Sequence, residues 1–170
     1  LRLIVHAGSI DEPKVKGIAH AVEHMVFNQT KHHPDGLHQY IRDLGWQTGK
    51  QVNARTQPTE TQYMIRTRPN DALNLDGSLQ LLAEIASNAA FTDAQWQKEQ
   101  KIITEEKRIG ESVIKRLSQQ IKQSTKANSK YAQGSVIGSY QSINDITLKD
   151  VQLFYQRNYV ASNMTLVASG

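Results

Sequence analysis

Apolar and polar residues along the 170-residue chain follow two periods, and the shorter period predicts strands. Residues have the composition or the alternation of a strand at 1–6, 51–56, 61–68 and 163–169. The stretch QPTE between the second and third of these segments has turn composition, so the two are expected to form a hairpin. Strands joined by a short turn pair in the antiparallel direction.

The longer period, with apolar residues three and four positions apart, predicts helices. The predicted helices cover 18–27, 37–44, 71–88, a long segment that begins after Thr92, and 148–159. Gly110 is expected to bend or break the long helix, and the polar segment 124–142 is expected to be a loop. In the third helix, four residues are expected to face inward: Leu75, Leu79, Leu82 and Ile85. Together these elements predict an α+β fold, in which a largely antiparallel sheet is packed with helices.

Composition and charge narrow the classes of function. The chain has no cysteine, which excludes disulfides and thiolate metal sites. The net charge is +4, but the densest group of basic residues, at 107–116, is interrupted and preceded by glutamates, which is typical of a solvated helix face. Aromatic residues make up 6% of the chain and are not interleaved with basic ones, so no nucleic-acid partner is expected. No apolar run reaches the length of a membrane span.

The length and the two termini predict the domain organisation. A chain of 170 residues suits one domain with its own core. The first residues already have the pattern of a strand, and the last residues stop within another strand pattern. We therefore expect one domain over 1–170 that is a fragment of a longer chain.

The helix predicted at 18–27 is apolar except for three ionisable residues, His20, Glu23 and His24. On a helix, positions i and i+4 share a face, so His20 and His24 can direct two imidazoles at one point, as a pair of zinc ligands does. Glu23 lies beside that point and can accept a proton from an attacking water. The order H-x-x-E-H is the inverzincin motif. Histidines that face solvent or bond within the core are the alternative, but a buried helix with all three groups needs a partner for them.

A catalytic zinc site usually has three protein ligands, so a third ligand is expected elsewhere in the chain. Glu99 and Glu106 are two helical turns apart, near apolar residues, and can present two carboxylates from one helix face. The alternative that both are ordinary surface glutamates, as Glu105 is expected to be, stays open at this point. Four other candidates lie in strand, loop or short-helix positions without a pairing pattern: His6, His32, His33 and His38.

Four segments carry further information through their order along the chain: HAGSIDEP…KGIAHAVEHMVFNQT, QVNARTQPTETQYMI, WQKEQKIITEE and FYQRNYVASNMTLVASG. In this order they resemble the pitrilysin/insulinase family of zinc metallopeptidases, over nearly the whole chain. The resemblance is nearest to the bacterial zinc-protease branch and to the N-terminal domain of the processing peptidases. It implies one half of a clamshell metallopeptidase, which a homologous second half of the parent protein closes and supplies with arginine and tyrosine groups facing the zinc.

The resemblance also implies roles for individual residues. His20 and His24 match the two histidine ligands of one Zn²⁺ ion per chain, and Glu23 matches the general base. Glu106 matches the third ligand, with Glu105 as the nearest alternative. The spacing of Glu106 from Glu99 favours Glu106, because it fits the family pattern.

Three further residues match supporting positions of the family. Glu99 matches a carboxylate that supports the catalytic site without binding the metal directly. Asn53 and Ala54 match the strand segment that binds the backbone of a polypeptide substrate beside the zinc, whereas the residues alone favour an ordinary strand near a turn.

The function implied is a zinc-dependent endopeptidase that acts on extended polypeptides, in the periplasm if the resemblance extends to compartment. The alternative is a non-catalytic peptide-binding or scaffold half of a peptidase-like assembly. A degenerate half of that kind is expected to lose His20, Glu23 or His24, and all three are present.

Overall fold

The computed structural model describes residues 1–67, 72–132 and 135–169. The strands in these ranges are β1 (Arg2–Val5), β2 (Val52–Thr56), β3 (Thr61–Ile65) and β4 (Met164–Val167). The helices are α1 (Ile18–Met25), α2 (Leu37–Asp43), α3 (Ala72–Ser87), α4 (Asp93–Gly110), α5 (Val113–Thr125), α6 (Tyr140–Asp145) and α7 (Leu148–Asn158). Three predicted boundaries lie outside the described residues: the strand end at Arg68, the helix start at Asp71 and the domain end at Gly170.

The strands form one sheet in the order β2-β3-β1-β4, and each neighbouring pair is antiparallel. In β1, Leu3 stands between Tyr63 of β3 and Leu166 of β4. Along β3, Thr61, Tyr63 and Ile65 are buried and the residues between them are partly exposed, so one face of the sheet covers the core. The predicted hairpin and the predicted α+β class are confirmed, and β2 lies at an edge of the sheet.

Helix α1 lies in the core, between the sheet and the helices α4 and α7. Its apolar residues are completely buried: Ile18, Ala19, Ala21, Val22 and Met25. Gly17 precedes the helix with a φ of +100°, and a Cβ atom there would lie 2.8 Å from the carbonyl oxygen of Ile137, so only glycine fits. The buried carboxylate of Glu12 accepts the N–H groups of Gly17 at 3.1 Å and Ala19 at 2.9 Å. It therefore caps α1 from a preceding loop.

Helices α4 and α7 begin at the predicted residues, and each begins with a capping box. Thr92 and Gln95 form a capping box at the start of α4, and Thr147 and Asp150 form one at the start of α7. Helix α4 ends at Gly110 and α5 begins three residues later at Val113, so the predicted break is confirmed. Among the described residues, none of the helices combines the length and the apolarity that crossing a membrane requires.

Two predictions about helices are wrong. In α3, Leu82 and Ile85 are buried as expected, but Leu75 is 52% exposed and Leu79 is 39% exposed. The helix is turned so that Glu84 also lies inward, because that carboxylate accepts hydrogen bonds from residues beyond α1. The predicted loop at 124–142 overlaps the end of α5 and the start of α6. The capping box of α6, made by Ser139 and Ser142, is the sequence signal that was missed.

Candidate metal centre

The two histidines of α1 lie one turn apart and face α4. Their ring centroids are 4.7 Å apart, and the ring planes meet at 64°. His20 is 9% exposed, and the side chain of His24 is 21% exposed. Because α1 is held in the core on its other sides, these two imidazoles open onto one small region beside α4.

Helix α4 brings Glu106 to the same region. Its Oε2 atom lies 3.5 Å from Nε2 of His20 and 3.2 Å from Nε2 of His24. One ligand atom from each of these three residues lies within 4.8 Å of the others. A tetrahedral zinc site with bonds of about 2.0–2.1 Å holds its ligand atoms about 3.3 Å apart. The three residues therefore fit a zinc ion in both donor type and spacing.

The neighbouring glutamate points elsewhere. Glu105 accepts two hydrogen bonds from the guanidinium of Arg108, at 2.9 Å and 2.6 Å, and both side chains are more than half exposed. Of the two glutamates considered as third ligand, the structure thus brings Glu106 to the imidazoles and pairs Glu105 with an arginine.

Glu99 approaches His24 from the opposite side of the ring. Its Oε2 atom lies 3.3 Å from Nδ1 of His24, and its Oε1 atom accepts a hydrogen bond from Asn28 at 3.2 Å. Glu99 is only 6% exposed. Burial raises the pKa of Glu99, but the hydrogen bonds from His24 and Asn28 outweigh burial and hold the pKa below its usual value. An ionised carboxylate at this place fixes the Nδ1–H tautomer of His24 and leaves Nε2 free for a ligand.

The surroundings of the two imidazoles shift their pKa values in opposite directions. Burial, followed by the charge of His24, lowers the pKa of His20 to about 4. Burial also lowers the pKa of His24, but hydrogen bonds to Glu106 and Glu99 and the charge of Glu23 outweigh it and raise that pKa to about 9. A metal ion binds neutral imidazoles, so His24 gives up a proton when a metal enters.

Glu23 lies beside the three convergent residues and lines the same cavity as His20 and Glu106. The hydroxyl of Thr56, at the end of β2, donates a hydrogen bond to its Oε2 atom. Burial raises the pKa of Glu23, and the hydrogen bond from Thr56 opposes that rise. A carboxylate whose pKa is moved toward neutrality is suited to accepting and returning a proton.

Residues Asn53 and Ala54 lie on the edge strand β2. The backbone pairs Gln51–Arg66 and Gln57–Glu60 are hydrogen bonded, so by alternation the N–H and C=O of Ala54 point away from β3. The Oδ1 atom of Asn53 accepts the N–H of Ala54 at 2.9 Å. This outward edge runs along the cavity, because Ala54 and Thr56 both line it.

The other histidines named as weaker candidates lie outside the convergent group. His6 bonds Thr165 on the sheet, His32 bonds Glu84 on α3, His33 contacts the ring of Tyr40, and His38 stacks on Phe27. Among the described residues, His20, His24 and Glu106 form the group with metal-binding geometry.

The cavity beside the three residues has a volume of about 1110 Å³ and contains side chains that sequence reasoning missed. They comprise cationic, hydroxyl and apolar groups: Arg55, Lys101, Thr56 and Ile109. Strand alternation could have placed Thr56 on the same face as Ala54, and helical spacing could have placed Ile109 with Glu106. The sequence gives no signal that residues of α4 and β2 line one cavity.

Comparison with known protein families gives a match over residues 1–136 to Insulinase (Peptidase family M16). The chain is 32% identical to the probable zinc protease PqqL of Escherichia coli, over 172 aligned residues that include the whole chain. The chain spans 18% of the length of that relative.

The fold is similar to that of solved structures, including those of two proteases. A crystal structure of a mutant of the ferredoxin protease FusC, in complex with Arabidopsis ferredoxin, has a TM-score of 0.90 and 40% identity, over 96% of this chain and 18% of FusC. The first half of the periplasmic protease PqqL from Escherichia coli has a TM-score of 0.89 and 32% identity, over 96% of this chain and 35% of that half. The predicted fold, one half of a clamshell metallopeptidase, agrees in architecture with this likeness, and the chain spans about a third of that half of PqqL.

Proposed function

Because the chain belongs to the insulinase family of peptidases, peptidase family M16, we propose that it carries the zinc site of an endopeptidase that hydrolyses extended polypeptides. The observation that carries the proposal is the convergence of His20, His24 and Glu106 beside Glu23. Two imidazoles and a carboxylate are a ligand set of catalytic zinc sites, which leave a fourth position open.

The metal proposed is one Zn²⁺ ion per chain, held by Nε2 of His20, Nε2 of His24 and Oε2 of Glu106. The distances of 3.5 Å and 3.2 Å from Glu106 to the two imidazoles support this ligand set. Glu99 is proposed as the residue that orients His24 through the contact at Nδ1. Such a contact fixes the ring while leaving Glu99 itself outside the set of ligands.

The chemistry that Zn²⁺ supplies when bound is a lowered pKa of its water, about 7, and polarisation of the scissile carbonyl. Glu23 takes the proton of the attacking water and passes it to the leaving amine. Its burial beside the imidazoles raises its pKa, which suits a group that alternately accepts and donates a proton. A positioned general base contributes about 10²- to 10⁴-fold in rate.

The substrate proposed is an extended polypeptide that pairs with the outward edge of β2. The N–H of Ala54 points away from β3 and donates a hydrogen bond to the side chain of Asn53. A carbonyl oxygen of the substrate would take the place of that side chain as acceptor. An extended peptide adds to a sheet edge through main-chain hydrogen bonds of this kind. The scissile bond would then lie in the cavity next to Glu23.

We further propose that 1–170 is one domain of a longer chain and that a homologous second half closes over the cavity. The similarity to the first half of PqqL supports this arrangement, and the description of PqqL as periplasmic supports the same compartment here. A non-catalytic scaffold half remains the second candidate. The proximity of His20 to His24 and the place of Glu23 in the cavity beside His20 favour the catalytic function.

The test compares Glu23→Gln with the wild type in the full-length protein. The amide keeps the size of the side chain but cannot accept the proton, so zinc content is expected to stay at one per chain while peptide hydrolysis falls by at least about 10². Glu60→Gln, in the turn between β2 and β3, is the matched control and is expected to retain activity. A Glu23→Gln protein that cleaves an unstructured peptide at the wild-type rate contradicts the proposed base, and a zinc-loaded wild type without activity favours the scaffold.

A further inference from the structure

Thr56 is the last residue of β2, and its partly exposed side chain contacts α1. Its hydroxyl donates a hydrogen bond to Oε2 of Glu23. Thr56 is opposite Thr61 in a pair without mutual backbone hydrogen bonds, so its backbone N–H also points away from β3. That N–H faces the Glu23 carboxylate as well, and it is among the groups that lower the pKa of Glu23.

A glutamate side chain has several rotamers, and fixing one of them requires contacts at the carboxylate. For Glu23, the hydroxyl of Thr56 supplies such a contact, and it engages the Oε2 atom. Glu23 also lines the cavity that it shares with His20 and Glu106. A donor that holds one carboxylate oxygen restricts how the carboxylate is presented to this cavity.

The position of Thr56 along β2 adds a second connection. Ala54 lies two positions before Thr56 on the same strand. Its N–H is directed outward, at the proposed substrate edge. A rigid strand thus holds both the proposed site of backbone pairing and the donor that fixes Glu23. The carboxylate is positioned relative to the strand that the substrate would join, rather than relative to α1 alone.

We propose that Thr56 is a positioning residue that directs the Glu23 carboxylate toward the attacking water. This inference rests on the proposed function, because it needs Glu23 to act as the base. Thr56 is not one of the proposed zinc ligands, and the role inferred for it is exerted through Glu23. The loss of its hydroxyl is therefore expected to change the rate of the chemical step while leaving metal binding intact.

The experiment uses the full-length protein and two substitutions, Thr56→Val and Thr56→Ser. Valine has the shape of threonine without the hydroxyl, and serine keeps the hydroxyl. For Thr56→Val we expect kcat on an unstructured peptide to fall on the order of 10- to 100-fold, with KM within about threefold of wild type, because a misplaced reacting group costs rate. Zinc content is expected to remain one per chain, and Thr56→Ser is expected to recover most of the lost kcat.

The matched control is Thr61→Val on β3. Thr61 lies opposite Thr56, but its hydroxyl bonds the carbonyl oxygen of Ala7. The Thr61→Val variant measures the effect on kcat of losing a threonine hydroxyl from this hairpin without losing the bond to Glu23. Its kcat is expected to stay near the wild-type value. The absorption spectrum of the Co²⁺-substituted proteins monitors the metal centre independently of activity.

Several results would overturn the inference. Unchanged kcat in Thr56→Val would do so, and so would equal losses in Thr56→Val and Thr61→Val. Loss of zinc, a changed Co²⁺ spectrum or a failure to fold in Thr56→Val would assign the residue to the framework instead. A zinc-loaded wild type that cleaves no peptide overturns the proposed function as well, whereas an active wild type with an unaffected Thr56→Val overturns only the role of Thr56.

Discussion

His24 and Glu99 are joined through Nδ1, which lies 3.3 Å from the Oε2 atom of a carboxylate that is only 6% exposed. The contact orders an imidazole whose other nitrogen faces Glu106 at 3.2 Å. For Glu99→Gln we expect zinc affinity to fall about 10- to 100-fold, because partners that orient a metal-binding histidine typically contribute that much. Competition with a chelator of known affinity measures the change.

The control for Glu99→Gln is a glutamate on the same helix without a contact to either imidazole. Glu105 bonds Arg108 at the surface, so Glu105→Gln is expected to bind zinc as the wild type does. Equal affinities for the wild type and Glu99→Gln would show that the contact at Nδ1 does not support the metal.

Removal of the proposed ligands is expected to abolish stoichiometric zinc binding. Elemental analysis of His20→Ala and Glu106→Ala is expected to show well below one zinc per chain, because two remaining protein ligands hold the ion weakly. Glu105→Ala is expected to retain one zinc. The reverse pattern, with zinc lost from Glu105→Ala and kept in Glu106→Ala, would exchange the roles of these two residues.

The sequence predicts the pair on α1 because its spacing is local. His20 and His24 share a helix, and helical geometry alone places them together. Glu106 could be proposed only as one of two candidates, since its approach depends on how α4 crosses α1 in the folded chain. Resemblance to a family supplied the choice between Glu106 and Glu105. Glu106 lies beside the imidazoles, and its role as a ligand stays a prediction.

Other features have no local signal. The bond between Thr56 and Glu23 joins a strand to a helix far away in the chain, and no period relates the two. The rotation of α3 likewise depends on the bonds that Glu84 receives from Thr30 and His32, which hydrophobic spacing does not encode. Tertiary hydrogen bonds decided both cases.

Glu12, which caps α1, is expected to make stability depend on pH. Burial raises the pKa of this carboxyl to about 7 in the folded chain, against an ordinary 4.5. Between these values the folded state binds more protons than the unfolded state, so stability falls as pH rises from about 5 to about 8. The expected loss from Glu12 is about 2 kcal/mol over this range, given the separation of the two pKa values.

Urea unfolding of the metal-free wild type and of Glu12→Gln, at matched pH values from 5 to 8, measures this contribution. The amide does not titrate, so the difference in unfolding free energy between the two proteins isolates Glu12 from other ionisable groups. We expect the wild type to lose its advantage over Glu12→Gln as pH rises. A difference that stays constant with pH would show that Glu12 does not change its protonation in this range.

The isolated chain is expected to bind zinc but to cleave peptides poorly. The side chain of the proposed ligand Glu106 is half exposed. In the proposed clamshell, this chain supplies one wall of the cavity beside Glu106, and the second half would supply the other. Without a closing half, the substrate is poorly positioned, and a missing oxyanion donor typically costs about 10²- to 10³-fold. Assays of the 170-residue chain and the full-length protein on the same peptide test this, and comparable kcat/KM would show that the second half is dispensable.

The edge of β2 also bears on how copies of the protein avoid one another. An unpaired strand edge invites any extended segment to join it, including the same strand of a second molecule. Here the N–H of Ala54 already donates to the side chain of Asn53. An incoming strand must break that hydrogen bond before Ala54 can donate to it, so pairing through the backbone alone gains little free energy. A strand that also makes contacts in the cavity is favoured. The same side chain that would admit a substrate therefore also disfavours casual pairing with other strands at this edge of the sheet.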